Sequence, residues 1–178
     1  MNAEQSKYLS YLLRHKPESA NLGLDKNGWC PVQELIQNAK FTLEELQEIV
    51  RDDAKTRYAL SEDGTKIRAN QGHSTSKVRL TYNKAVPPVM LYHGTTTDGY
   101  EFIQKEGLKP MNRHHVHLTD DRDTAVTVAG RRKTGIVILK IDAKKMLADG
   151  VQFFLSPNNV WLVTHVAPKY IKKLKSNV

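Results

Sequence analysis

A chain of 178 residues can bury a substantial core, as one domain or as two small lobes. With 39% hydrophobic and 26% charged residues it is composed like a globular protein, and no apolar run approaches the roughly 20 residues of a membrane span. The balance of 27 basic against 19 acidic residues leaves a net charge of +8, which points to an anionic partner, nucleic acid first. The single cysteine, Cys30, excludes an internal disulfide framework and any cysteine-built zinc site. Residues 1–6 have neither the basic start nor the apolar stretch of a signal peptide, so the expected location is the cytoplasm.

Tyr8, Leu9, Leu12 and Leu13 share one helical face and predict a helix over 6–16. Pro17 ends it, because the residue before a proline is pushed out of the α region. Arg14 and His15 then fall in the last turn, where the helix dipole favours cations; that alone is a structural reason for them. Gly23 and Gly28 punctuate a loop. Val32, Leu35 and Ile36 predict a second helix with Pro31 near its first turn. Thr42-Leu43-Glu44-Glu45 is a capping-box pattern opening a third helix through about Arg51, expected to bury Leu43, Leu46, Ile49 and Val50. A hairpin follows: Arg57-Tyr58-Ala59-Leu60, a turn at Glu62-Asp63-Gly64, and a strand from Lys66. Three short helices and then a hairpin is the element order of a winged-helix domain. The tandem prolines of Asn83-Lys84-Ala85-Val86-Pro87-Pro88 form a short, stiff connector. The expected fold is therefore α+β in two lobes, 1–84 and 85–178.

The second half alternates strands and helices. Residues 89–92 predict a strand leading into His93-Gly94-Thr95, and 98–106 a helix stopped by Gly107. Val116-His117-Leu118 predicts a strand, with Thr119 as cap of a helix through Ala129. After the basic turn Gly130-Arg131-Arg132-Lys133-Thr134-Gly135 comes Ile136-Val137-Ile138-Leu139-Lys140-Ile141, the most strand-like run of the chain. Residues 143–148 suggest a short helix, 151–155 and 160–163 strands around a turn at 156–159, and the tail from Pro168 a closing helix.

The densest set of donors is Lys66-Ile67-Arg68-Ala69-Asn70-Gln71-Gly72-His73-Ser74. Amides, hydroxyl, imidazole and guanidinium gather there around a glycine that lets backbone approach a ligand. Taken alone, that stretch also suits a solvated hairpin arm. The Arg131-Arg132-Lys133 run is either a solvated loop or a phosphate clamp, since guanidinium binds phosphate oxygens two at a time. His114-His115-Val116-His117 has no cysteine or carboxylate partner pattern, and no metal is expected. Neither a Walker loop nor a dinucleotide glycine fingerprint is present.

Five segments, in order, resemble the RNA 2′-phosphotransferase family, NAD-dependent enzymes that remove a splice-junction 2′-phosphate from tRNA. They are Leu9-Ser10-Tyr11-Leu12-Leu13-Arg14-His15-Lys16-Pro17, Ile67-Arg68-Ala69-Asn70-Gln71-Gly72-His73-Ser74, Leu91-Tyr92-His93-Gly94-Thr95, Val116-His117-Leu118-Thr119 and Asn159-Val160-Trp161-Leu162. The resemblance implies a winged-helix RNA lobe joined to an ADP-ribosyltransferase-like NAD lobe. It implies a catalytic set of Arg14, His15, Arg68 and Arg132, with the three arginines meeting on one phosphate. The family usually follows the last arginine with His-Gly; here Lys133-Thr134 follows, which leaves Arg131 as an alternative.

By the same resemblance, His93, Gly94, Thr95 and His117 would bind NAD. Asn70, Gln71, His73 and Ser74 would line the cleft, and Arg113 would touch phosphate. Related transferases carry a glutamate where Val160 stands. The implied substrates are NAD and a 2′-phosphorylated RNA, tRNA or another. The implied products are 2′-OH RNA, ADP-ribose 1″,2″-cyclic phosphate and nicotinamide. An ADP-ribosyltransferase acting on phosphorylated nucleic-acid ends or on protein is the alternative, and a DNA regulator with a sensor lobe a further one. Oligomeric state has no signature in the sequence, and a monomer is the default expectation.

Overall fold

The structure, a computed structural model, describes residues 3–131 and 135–174. It is mixed α and β, and the chain divides into two compact units, Met1–Thr81 and Tyr82–Val178. No helix among the described residues is long and apolar enough to cross a membrane.

In the first unit, α1 (Ala3–Arg14) buries Leu9, Leu12 and Leu13, one face at helical spacing. It ends at Arg14, and His15 lies just past it. A single 3₁₀ turn, Pro17–Ala20, follows and closes on Asn21 in the left-handed region. After β1 (Cys30–Pro31), α2 (Val32–Ala39) takes Pro31 as the residue before its first turn and not within it. The capping box forms as the sequence predicts: α3 (Leu43–Arg51) starts with Glu45 N–H donating to Thr42 Oγ1 and Thr42 N–H donating back to the Glu45 carboxylate. Leu43, expected inside, is 44% exposed; it sits on the first turn beyond the edge of the core, whereas Leu46 and Ile49 lie deeper. The strands β2 (Tyr58–Leu60) and β3 (Lys66–Ala69) pair as an antiparallel hairpin, and β1 adds to the far side of β3. One cluster, including Leu9, Leu12, Leu13, Leu35, Leu46, Ile49, Ile67 and Ala69, fills the space between α1–α3 and this sheet.

The second unit carries two antiparallel sheets. One has the order β10-β7-β5, with β5 at Met90–Thr96, β7 at Ile136–Asp142 and β10 at Ile171–Lys173. The other, β4-β8-β9-β6, joins β4 (Asn83–Lys84), β8 (Phe154–Leu155), β9 (Trp161–Val163) and β6 (Val116–Leu118). A two-way bond pair between Tyr92 and Thr119, at 2.7 and 3.0 Å, ties one sheet to the other.

Alternation along β7 explains the layers. Val137, Leu139 and Ile141 join the larger core, while Ile138 faces α5 (Arg122–Ala129) on the opposite side. The helices α4 (Thr97–Glu106) and α6 (Ala143–Ala148) complete the unit.

Four expectations are corrected here. His93, Gly94 and Thr95 do not follow β5 but lie within it, paired with Leu139, Ile138 and Val137. The cap of α5 is Asp121, whose carboxylate accepts from Thr124 and Asp123 N–H; Thr119 is still extended because both its backbone groups are bonded to Tyr92. The strand expected over 151–155 is confined to Phe154–Leu155. The tail makes one 3₁₀ turn, Pro168–Tyr170, and then a strand, since β7 needs a partner on the edge that β5 leaves open.

Candidate functional site

Within the first unit, the end of α1 is gripped by the loop after β3. Ser74 and Thr75 N–H donate to the Arg14 carbonyl at 2.9 and 3.3 Å, so two carbonyl-seeking donors cap the helix end. His15 Nδ1 and Ser74 Oγ lie 2.8 Å apart, a hydrogen bond between residues 59 positions apart. Gly72 has φ +89, a left-handed conformation that favours glycine, and its missing side chain faces the Arg14 guanidinium, 3.6 Å from where a Cβ would stand. The Arg14 guanidinium also lies 5.9 Å from the Tyr58 ring centre. Arg14, His15, Gly72 and Ser74 are thus brought together by direct contact.

Arg68 belongs to a second neighbourhood. Ile67 and Ala69 are buried in the core, so by strand alternation Arg68 leaves the other face of the sheet. There its guanidinium stacks on Trp29, 4.6 Å from the ring centre. Asn70 is buried and donates its amide N–H to the Thr56 carbonyl at 2.7 Å. Buried His73 packs against Gly28. Arg68 Nε, Asn70 Oδ1 and Gln71 Oε1 are buried without a hydrogen-bond partner among the described residues. Buried polar atoms left so are costly, and a ligand's complementary groups would satisfy them.

The Arg68–Trp29 stack was not legible in the sequence, because Trp29 just precedes β1 and Arg68 lies in β3, and these strands pair only in the fold. Cys30, next to Trp29, is no nucleophile: burial first, and Glu34 second, push its thiol up to about 12.

In the second unit, His93 Nδ1 lies 3.0 Å from the His117 carbonyl, which can only accept, so this nitrogen carries the hydrogen. Arg113 Nη1 lies 3.1 Å from His117 Nδ1 and must donate, which leaves the hydrogen of His117 on Nε2. The pKa of Arg113 is lowered, by desolvation first and then by the nearby charge of Arg131. Two guanidinium groups at such range favour an anion that offsets both. Gly94 is needed for packing: a Cβ there would meet the Ala125 carbonyl oxygen at 2.1 Å, so α5 crosses β5 at this point. Thr95 stands at the end of the same strand, which is the edge of its sheet.

His115 is engaged differently from His117. Its ring packs edge-on to Tyr82, with centres 5.8 Å apart, and its pKa is lowered by desolvation and then by His114. Val160, where related transferases carry glutamate, donates its N–H to Ser156 Oγ at 3.0 Å. Arg132 lies outside the described residues.

The sequence model of the RNA 2′-phosphotransferase, Tpt1 / KptA family, matches residues 1–165. The chain belongs to this family. A probable RNA 2′-phosphotransferase of Pseudomonas syringae pv. tomato is 47% identical over 180 residues, covering 98% of this chain and 96% of the relative. One of Fusobacterium nucleatum is 47% identical over 171 residues, with 93% and 95% covered. One of Burkholderia pseudomallei is 49% identical over 172 residues, with 94% and 92% covered. Similarity at this level over nearly the full length makes it an RNA 2′-phosphotransferase family member throughout, not a chain sharing one motif with it.

Proposed function

We propose that the chain is an NAD-dependent RNA 2′-phosphotransferase, with 1–84 as a winged-helix RNA lobe and 85–178 as an ADP-ribosyltransferase-like NAD lobe. The observation that carries this reading is the clamp on the end of α1, where loop 72–75 fixes both Arg14 and His15 in a chain of this family. The substrate is an RNA with an internal 2′-phosphate, tRNA or another, and NAD is consumed with it. An RNA-processing enzyme of this kind would work in the cytoplasm.

In the first step a 2′-phosphate oxygen attacks C1″ of the nicotinamide ribose, and the C1″–N bond breaks to release nicotinamide. The attacking group is already an anion, so no base is required. That fits a valine at position 160 in place of a carboxylate. What the step requires is a fixed positive charge on the phosphate; Arg14 and Arg68 are the candidates in the first unit, and the family resemblance adds Arg132, or Arg131, as the further arginine. In the second step the ribose 2″-hydroxyl attacks phosphorus, the bond to the RNA 2′-oxygen breaks, and the cyclic phosphate departs. One proton leaves the hydroxyl and one reaches the RNA oxygen. His15 stands beside this chemistry as a proton carrier or as a ribose ligand.

The second unit offers a donor set suited to NAD. Arg113 beside Arg131 suits a pyrophosphate; His117 Nε2–H and the Thr95 hydroxyl suit ribose or amide oxygens. Along the open edge of β5, alternate backbone groups of 93–95 point away from β7.

The test is to incubate the protein with NAD and a short RNA bearing one internal 2′-phosphate, and to follow nicotinamide and phosphate together. One nicotinamide and one cyclic phosphate per phosphate lost is the expected result. A persistent ADP-ribosyl adduct would make the chain an ADP-ribosyltransferase instead, and no NAD consumption would overturn the reading. Arg68→Lys keeps the charge but loses the two-pronged contact. Turnover should fall by about 100-fold or more, in line with the roughly 3–4 kcal/mol lost when one positioned transition-state donor is removed.

A further inference from the structure

Beside Trp29 the first unit has a shallow cavity, open to solvent, of about 570 Å³, lined by Trp29, Ser61, Glu62, Asp63 and Lys66. We propose that it is a nucleobase subsite, which seats one base of a single-stranded RNA near the nucleotide whose phosphate Arg68 holds. The inference rests on the reading of the chain as an RNA-acting enzyme and adds where, and by what chemistry, the RNA chain is read.

The walls of the cavity are built before any ligand arrives. Trp29 is positioned by Asp25, whose carboxylate accepts the Trp29 N–H at 2.9 Å and whose own N–H donates to the Trp29 carbonyl at 3.0 Å. The opposite wall is the hairpin turn. Ser61 N–H donates to the Lys66 carbonyl at 2.8 Å, and Lys66 N–H donates to Ser61 Oγ at 2.9 Å. Asp63 Oδ1 accepts three bonds, from Ser61 Oγ, Thr65 N–H and Thr65 Oγ1, at 2.6, 3.0 and 2.8 Å. Little ordering remains to be done on binding.

Each wall offers something a nucleotide uses. The indole is a stacking platform, and Arg68 shares it, so a base against Trp29 lies in the neighbourhood of that guanidinium. Asp63 Oδ2 carries no hydrogen bond among the described residues, and Glu62 is exposed. Carboxylates only accept, so they favour base edges rich in N–H, with guanine N1 and N2 the best match and uracil the poorest. They also repel a phosphate from the cavity itself. The phosphate next to the seated base falls to the exposed ammonium of Lys66.

The experiment measures binding, without NAD, of a fluorescein-labelled single-stranded RNA hexamer with one internal 2′-phosphate. Versions with one abasic ribose at each position in turn are compared on the wild type, Trp29→Ala and Lys66→Ala. Losing one stack should weaken binding about 5- to 100-fold. One abasic position should lose that factor on the wild type and almost nothing on Trp29→Ala. This coupling isolates the base contact from any disturbance of Arg68. Lys66→Ala, a surface change, should weaken binding a few-fold and flatten the salt dependence by about 0.7 in log–log slope.

If no position couples to Trp29, or Lys66→Ala binds as the wild type, the subsite is overturned. Coupling without NAD-dependent loss of the 2′-phosphate would keep the subsite and sink the phosphotransferase reading. Turnover without coupling would do the reverse, and no RNA binding would sink both.

Discussion

A side chain serves a ligand best when it is held before the ligand arrives, and at residue scale Ser74 contributes to that through the Arg14 backbone and the His15 ring. Its N–H holds the Arg14 carbonyl and its hydroxyl holds His15 Nδ1, so one residue orients two neighbours. Ser74→Ala keeps the backbone bond and removes the other. The expected result is a fall in kcat of about 10-fold, the worth of one side-chain hydrogen bond of roughly 1.5 kcal/mol. KM for NAD should stay unchanged, the pH profile of kcat should move, and Ser74→Thr should restore both. An unchanged profile with the same loss would make Ser74 structural only. Little of this was legible in the sequence. Arg14, His15, Arg68 and the 70–74 stretch stand out because matching segments name them. A hydrogen bond spanning 59 positions and a stack between Trp29 and Arg68 are products of the fold, which no local pattern encodes.

At the scale of elements, local patterning was the better guide to type than to limits. Apolar periodicity marks α1 and β7, and the capping box marks the start of α3, because these signals lie within a few residues of the structure they specify. The ends were set by partners further away. Bonding of Thr119 to Tyr92 delays α5 to Asp121, and the bare edge of β7 draws the tail into a strand. The crossing of α5 over β5 at Gly94 is of this kind, since the glycine reads equally well as ligand contact or as packing. Gly94→Ala separates the two by its effect without ligand. A Cβ 2.1 Å from the Ala125 carbonyl oxygen and 3.0 Å from the Ala129 side chain forces α5 off the sheet. The unliganded protein should lose about 1–3 kcal/mol or more of stability in chemical denaturation. Wild-type stability together with weakened NAD binding would instead give Gly94 a ligand role alone.

For the molecule as a whole, the net charge of +8 has a cost in self-repulsion that a polyanionic substrate offsets, so substrate affinity should carry the salt dependence of the enzyme. Each cation that neutralises a phosphate on a single strand contributes about 0.7 to the log–log slope of affinity against salt. If Arg14, Arg68, a further arginine and Lys66 contact RNA phosphates, the slope for RNA is about −2 to −3. NAD presents only a pyrophosphate, so its slope must be shallower, about −1. Raising salt should therefore lift KM for RNA steeply while KM for NAD rises little and kcat holds, because charges already seated against the reacting phosphate are screened least. Steady-state rates across a salt series, varying one substrate at a time, measure all three. Equal slopes for the two substrates would mean that the basic surplus is spread over the surface for solubility and does not engage the RNA backbone.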